Sequence, residues 1–94
     1  MANYLTRIEL HGGTYSDYEK LHTAMQRAGF SRTIGGDDGK RYQLPTAEYV
    51  VENSSSTLAQ VQQAAKDAAG TTGKSAGIIS VLWSSALWSG LTTV

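Results

Sequence analysis

The feature that most constrains the fold is a strand-helix-strand pattern that occurs twice within 94 residues. The first strand is predicted from an alternation in which every second residue faces a core, at Tyr4, Thr6, Ile8 and Leu10. The first helix is predicted from a stripe at helical spacing, at Tyr18, Leu21, Met25 and Ala28. A capping box of Ser16 and Glu19 predicts its start, with Thr14 as the alternative cap, and Gly29 predicts its end.

The second half of the chain repeats this order after a turn rich in glycine and aspartate at residues 35–39. A second strand is predicted to begin at Phe30 and to run into this turn. Pro45 cannot donate a hydrogen bond to a neighbouring strand, so it marks a break before a third strand at residues 47–52. The second helix is predicted over about residues 58–69, and the final strand over about residues 76–83.

The predicted element order is β-α-β-β-α-β. If both strand-helix-strand units form right-handed crossovers and their strands interleave, the result is a ferredoxin-like sandwich. We therefore expect the α+β class, with one four-stranded antiparallel sheet and two helices on one face. Residues 1–83 form the single predicted domain. Residues 84–94 are a C-terminal tail that contains Leu87, Trp88 and Leu91. Because that much apolar surface is unfavourable in water, we expect the tail to dock.

The composition narrows the class of protein. Eight basic residues balance eight acidic ones, which argues against a protein that coats DNA or an anionic membrane, although a local basic patch is compatible with it. The absence of cysteine excludes disulfides and thiolate metal sites. The longest apolar run, residues 77–83, is too short to cross a bilayer, and no targeting segment is visible. We expect a cytoplasmic protein with no membrane partner.

No strong catalytic signature is present, and the glycines of the turn lack the lysine-serine ending of a phosphate-binding loop. His11 and His22 are the two histidines. Glu9 and His11 lie two apart on a strand, so both point to the same face and could hold a divalent ion or move a proton. The alternative is an ordinary solvated face of a strand.

Basic and aromatic side chains indicate a second kind of site. Arg7 shares the open face of the sheet with Glu9, and Lys40 and Arg41 project from the hairpin beside Tyr42. Such a surface can accept single-stranded RNA through stacking and phosphate contacts, and the same residues could equally be a solubilising surface. The third strand lacks the basic-glycine-aromatic run of the common RNA-recognition motif.

Four features occur in order along the chain: a tyrosine that opens the first strand, Met25 followed by Phe30-Ser31, the Gly/Asp hairpin, and Gln43-Leu44-Pro45 followed by Tyr49. Together they resemble the GhoS-like family of small antitoxins from type V toxin–antitoxin systems. The resemblance covers residues 4–83. It implies a ferredoxin-like fold and an endoribonuclease that cleaves the messenger RNA of a membrane-lytic toxin peptide.

The resemblance also implies catalytic positions on the first helix. The family's basic positions correspond to Lys20 and His22 here, and a histidine can act as acid or base on a ribose hydroxyl. The predicted function is therefore cleavage of single-stranded messenger RNA of a cognate toxin, with Mg²⁺ as the candidate cofactor and a monomer or homodimer as the assembly. The alternative is a non-catalytic module from a mobile element, which binds protein or RNA through its open sheet face or its tail.

Overall fold

A computed structural model describes residues 1–94 and contains five strands and two helices. Their order is β1 (Ala2–Leu10), α1 (Tyr15–Arg27), β2 (Thr33–Gly35), β3 (Arg41–Gln43), β4 (Glu48–Ser54), α2 (Leu58–Gly70) and β5 (Ala76–Trp83). The strands form an antiparallel three-stranded sheet, in the order β4-β1-β5, and a separate β2-β3 hairpin. The predicted α+β class with two helices is confirmed.

The main core lies between the three-stranded sheet and the two helices. The face of β1 predicted to be buried is buried at all four positions, which are Tyr4, Thr6, Ile8 and Leu10. From the helices, Leu21, Met25, Val61 and Ala65 close the same cluster. Thr6 is the polar member of this face, and its hydroxyl is 2.8 Å from that of Ser80 on β5. Each helix has 13 residues, and neither is long and apolar enough to traverse a lipid bilayer.

Both helices begin with a capping box. In α1 the cap is Thr14, whose side chain accepts from the Asp17 backbone N–H, while the Asp17 carboxylate accepts from the Thr14 backbone N–H. The preferred cap, Ser16, is wrong and the alternative, Thr14, is confirmed, because Asp17 completes the box with Thr14 and Ser16 already lies inside the helix. Thr57 and Gln60 cap α2 in the same way.

The predicted single four-stranded sheet is wrong. The predicted second strand, which begins at Phe30, was expected to be the fourth member of this sheet. In the structure only one of its residues, Ser31, pairs with Val50 of β4, through two backbone hydrogen bonds of 2.8 Å. The chain then leaves the sheet, and Thr33–Gly35 pairs with Arg41–Gln43 instead.

Two local features explain this departure. Pro45 and the positive φ of Ala47 (70°) interrupt the extended backbone between β3 and β4, so the two cannot form one continuous strand. In addition, Ile34, Leu44 and Val50 form a second, smaller apolar cluster, against which Tyr42, Trp83 and Trp88 pack. Burial in this cluster stabilises the hairpin in its own position beside the sheet.

The C-terminal tail lies along the hairpin. The Gln43 backbone N–H donates to Thr92, and the Val94 N–H donates to Arg41, so the tail extends the pairing of β3 by a short stretch. The ring of Trp88 lies 5.4 Å from that of Tyr42 and is half-buried. Leu87, in contrast, is fully exposed.

Candidate functional site

The most distinctive polar contact of the structure joins His22 on α1 to Tyr49 on β4. His22 Nδ1 lies 2.7 Å from the Tyr49 hydroxyl oxygen, and the two ring centroids are 5.8 Å apart. Tyr49 is completely buried in the main core, whereas His22 is half-buried at the rim of α1. Tyr49, a core residue, therefore fixes the orientation of the His22 ring, which reaches the surface.

His22 opens onto a polar concavity of about 570 Å³ between the outer flank of α1 and the segment that follows the helix. Arg32, Glu19 and Gln43 also line it. The Arg32 backbone is held in place, because its carbonyl accepts from the Leu44 N–H at 2.8 Å and from the Gln43 side chain at 3.1 Å. Its guanidinium forms no ion pair within the chain. The concavity thus combines an imidazole with an uncommitted positive charge.

Burial and charge shift the acid–base behaviour of this pair. Burial lowers the pKa of His22 below its usual 6.5, the positive charge of Arg32 lowers it further, and Glu19 partly opposes both. Burial raises the pKa of the Tyr49 hydroxyl to about 12. At neutral pH the imidazole is therefore predominantly neutral and the phenol keeps its proton.

The hydroxyl of Tyr49 can pair with His22 in the cation and in both tautomers of the neutral ring. When Nδ1 carries a hydrogen, the phenol oxygen accepts it, and Nε2 of the neutral ring is then free to take up a proton. When Nδ1 lacks a hydrogen, the phenol donates to it. The contact therefore holds the ring in one orientation while Nε2 gains or loses a proton.

We expect His22 to titrate below pH 6.5, and its pKa to rise in the variant Arg32→Gln, because one of the two lowering causes is removed. The measurement is an NMR titration of the imidazole resonances, assigned with His22→Gln. Since the pKa is lowered by folding, the associated stability is present above pH 6.5 and is lost as the pH falls through the folded-state pKa. A His22 resonance that titrates at or above 6.5 would contradict this placement of the side chain.

Lys20 lies apart from His22. It lines a larger groove of about 750 Å³ between α1 and α2, whose floor includes alanines and whose rim includes Arg27 and Asp67. Residues two apart on a helix point about 200° apart around its axis, which follows from 3.6 residues per turn. The two predicted catalytic residues, Lys20 and His22, are therefore not brought together at one concavity. The larger groove has no histidine and offers no acid–base pair like that of His22.

Glu9 and His11 lie exposed on the face of the sheet opposite the helices. His11 Nδ1 is 3.1 Å from the Ser75 hydroxyl. The structure brings no third His, Cys, Asp or Glu to this pair. Mg²⁺ prefers oxygen ligands, so the Glu9 carboxylate suits that ion and the His11 imidazole does not.

The predicted RNA-contacting residues lie on two elements, with Arg7 in β1 and Lys40, Arg41 and Tyr42 in the hairpin. Arg7 and Lys40 are exposed, on the open face of β1 and in the hairpin turn respectively. Arg41 is engaged with the Glu52 carboxylate at 3.0 Å and with Thr33. Tyr42 packs against Trp88, and its hydroxyl donates to Asp38 at 2.5 Å, which raises the pKa of Tyr42. Of the four, Arg7 and Lys40 have free side chains at the surface.

Sequence reasoning missed the two partners of His22. Tyr49 lies 27 positions away along the chain, and Arg32 follows the helix in what was predicted to be a strand. The alternation of β4 places Tyr49 on the helix-facing side, which indicates burial but not its hydroxyl partner. No local pattern marks Arg32.

No protein-family model, curated protein or solved structure matches this chain. The resemblance to the GhoS-like family therefore stays a prediction.

Proposed function

We propose that this protein binds single-stranded RNA and cleaves it as an antitoxin-like endoribonuclease, with His22 as the proton-transferring residue. The observation that carries the proposal is the His22–Tyr49 contact of 2.7 Å at the rim of a concavity that also holds Arg32. The resemblance to the GhoS-like family supports the same reaction class. The residue set differs from the one predicted, because Arg32 replaces Lys20.

The chemistry of this set suits a ribose phosphate. As general base, Nε2 of His22 takes the proton of a 2′-hydroxyl, and the 2′-oxygen forms a bond to the adjacent phosphorus. The bond from phosphorus to the 5′-oxygen breaks, and that oxygen takes a proton from a water molecule. The hydroxide that remains takes the proton from the His22 imidazolium, which restores the neutral ring. The products are a 2′,3′-cyclic phosphate and a 5′-hydroxyl. The step requires the 2′-hydroxyl that distinguishes RNA from DNA.

Arg32 and Tyr49 have separate roles in this proposal. The guanidinium of Arg32 pairs with the non-bridging phosphate oxygens, a geometry that its planar donors match. Its charge also helps to keep His22 neutral, and therefore basic, at neutral pH. Tyr49 touches no substrate and is a positioning residue that acts through the His22 ring.

We expect Arg32→Gln to weaken binding of a fluorescently labelled single-stranded RNA oligonucleotide by about tenfold, because one charge-assisted contact to phosphate is lost. Fluorescence anisotropy at constant salt measures this affinity. The matched control is Lys66→Gln, which removes the same charge from the exposed surface of α2 and should leave the affinity within about twofold. Equal affinities of Arg32→Gln and the wild type would show that RNA does not bind at this concavity.

A second candidate function is a non-catalytic interaction module. The observation that favours it is the exposed, uncharged edge of β5.

A further inference from the structure

The outer edge of the main sheet, at β5, has no neighbouring strand. This strand pairs with β1 on one side and with no strand on the other. Edge strands usually carry a charged residue, a proline or a bulge that prevents pairing with another chain. From Ser75 to Val94 the chain has no charged side chain and no proline, and the β1–β5 register runs without a bulge.

The backbone groups at this edge are directed outward at every second residue. The His11 N–H donates to Ser75 at 2.8 Å, in register with the β1–β5 pairs. In an antiparallel pair this alternation directs the odd-numbered residues of β5 to β1, and it leaves the N–H and C=O groups of the even-numbered residues at the edge. The Gln62 side chain reaches the Ile78 carbonyl at 3.4 Å from outside and accepts from the Ser80 hydroxyl at 2.6 Å, which agrees with this assignment. An added strand replaces the contact of Gln62 with the Ile78 carbonyl.

Apolar side chains accompany these groups on both faces. Ile79 and Val81, on the open face, are 61% and 41% exposed, and Leu82, on the helix face, is 62% exposed. A groove between β5 and α2 continues this surface at Leu58 and Ala59. The edge therefore offers both hydrogen bonds and apolar contact to an added strand.

We propose that a second copy of this chain pairs antiparallel with the β5 edge, about a two-fold axis at Ser80. In this register Ile78 lies opposite the partner's Leu82, and Ile79 lies opposite the partner's Val81. On each face of the new strand pair, apolar side chains then lie opposite apolar side chains, and Ser80 lies opposite the partner's Ser80. The product is one six-stranded sheet through both subunits.

Charge and size both favour a second copy as the occupant. Because the edge is uncharged, two copies of it can lie side by side without a like-charge contact. A charged peptide, in contrast, would gain no ion pair there. Eight residues of strand extend about 27 Å, and the molecule is 19 Å thick in its shortest direction. Such a patch buries about 1,000 Å² over both partners, which meets the lower bound for a specific interface. The proposal does not depend on the proposed function.

Cross-linking tests the register, and the absence of native cysteine makes the test selective. We expect Ser80→Cys to give a covalent dimer under mild oxidation or with a short bismaleimide. The matched comparison is Ser55→Cys, which lies in the exposed loop after β4 and should stay monomeric under the same conditions. Dimer formation by both variants to the same extent, or by neither, would overturn the proposal.

Sedimentation velocity over micromolar to submillimolar concentrations tests the pairing in the native sequence. We expect a dimer whose Kd rises by about tenfold or more in Leu82→Lys, since a charged side chain then lies against the partner's Ile78 with no opposite charge to pair with. The control is Val94→Lys, because Val94 is similarly exposed at 71% and lies on the hairpin side of the molecule. A monomer at every concentration, or equal weakening by both variants, would overturn the proposal.

Discussion

The variant Leu21→Ala is expected to lose about 2–5 kcal/mol of its free energy of unfolding. Leu21 is completely buried, and it belongs to the core cluster that joins α1 to Ile8, Tyr49 and Val61. Its truncation removes apolar contact and leaves a cavity that the surrounding elements fill only in part. Since domains of this kind are stable by roughly 5–15 kcal/mol, the change removes a large share of the total.

Denaturant unfolding followed by circular dichroism measures this loss. Thr23→Ala is the matched control, because Thr23 lies two residues further along the same helix and is exposed. The control should change the free energy of unfolding by less than about 0.5 kcal/mol. Equal unfolding curves for Leu21→Ala and the wild type would show that α1 does not pack on the sheet through this residue.

The second large effect concerns the proposed reaction. We expect His22→Ala to lower the rate of RNA cleavage by at least about 100-fold, which is the usual contribution of a general base. Tyr49→Phe keeps the ring in the core and removes the hydroxyl, so we expect a smaller loss of rate and a changed pH–rate profile. Initial rates on a defined single-stranded RNA, measured across pH, give both results.

Lys20→Ala is the control for the His22 variants. Lys20 lines the groove between the helices and is separated from the concavity that His22 opens onto. Its replacement should leave the rate within about twofold, because a single exposed charge contributes little. If Lys20→Ala lost as much cleavage as His22→Ala, the result would show that the groove between α1 and α2 takes part in the reaction.

The parts of the fold that follow from local periodicity could be predicted from the sequence. The alternation of β1 predicted the buried face correctly, and the last strand has the predicted bounds, Ala76–Trp83. The two helices follow from their apolar stripes, whereas the cap of α1 is Thr14 and not the preferred Ser16. These signals are local, because a strand or helix with one buried face repeats its apolar residues at a fixed spacing.

The position of the predicted second strand outside the main sheet could not be predicted, because it depends on contacts with residues far away in the sequence. Residues 30–34 carry a strand-like pattern, yet only Ser31 pairs with β4. Ile34 packs instead with Leu44 and Val50, and Trp88 of the tail packs against that cluster. The positive φ of Ala47 belongs to the same arrangement. It could not be predicted, because alanine rarely adopts a positive φ.

The candidate site was predictable in part. His22 was identified, but it was paired with Lys20, which helical geometry places on another flank. Its actual neighbours, Tyr49 and Arg32, come from β4 and from the segment after α1. A contact between side chains that are far apart in sequence depends on the packing of α1 on the sheet, which periodicity alone does not specify.

The most direct test of the proposed function is end mapping of a mixed RNA pool after incubation with the pure protein, with and without EDTA. We expect products with 5′-hydroxyl and 2′,3′-cyclic phosphate ends, unchanged by EDTA and absent with His22→Ala. Cleavage of no RNA, cleavage that leaves 5′-phosphate ends, or undiminished cleavage by His22→Ala would contradict the proposal.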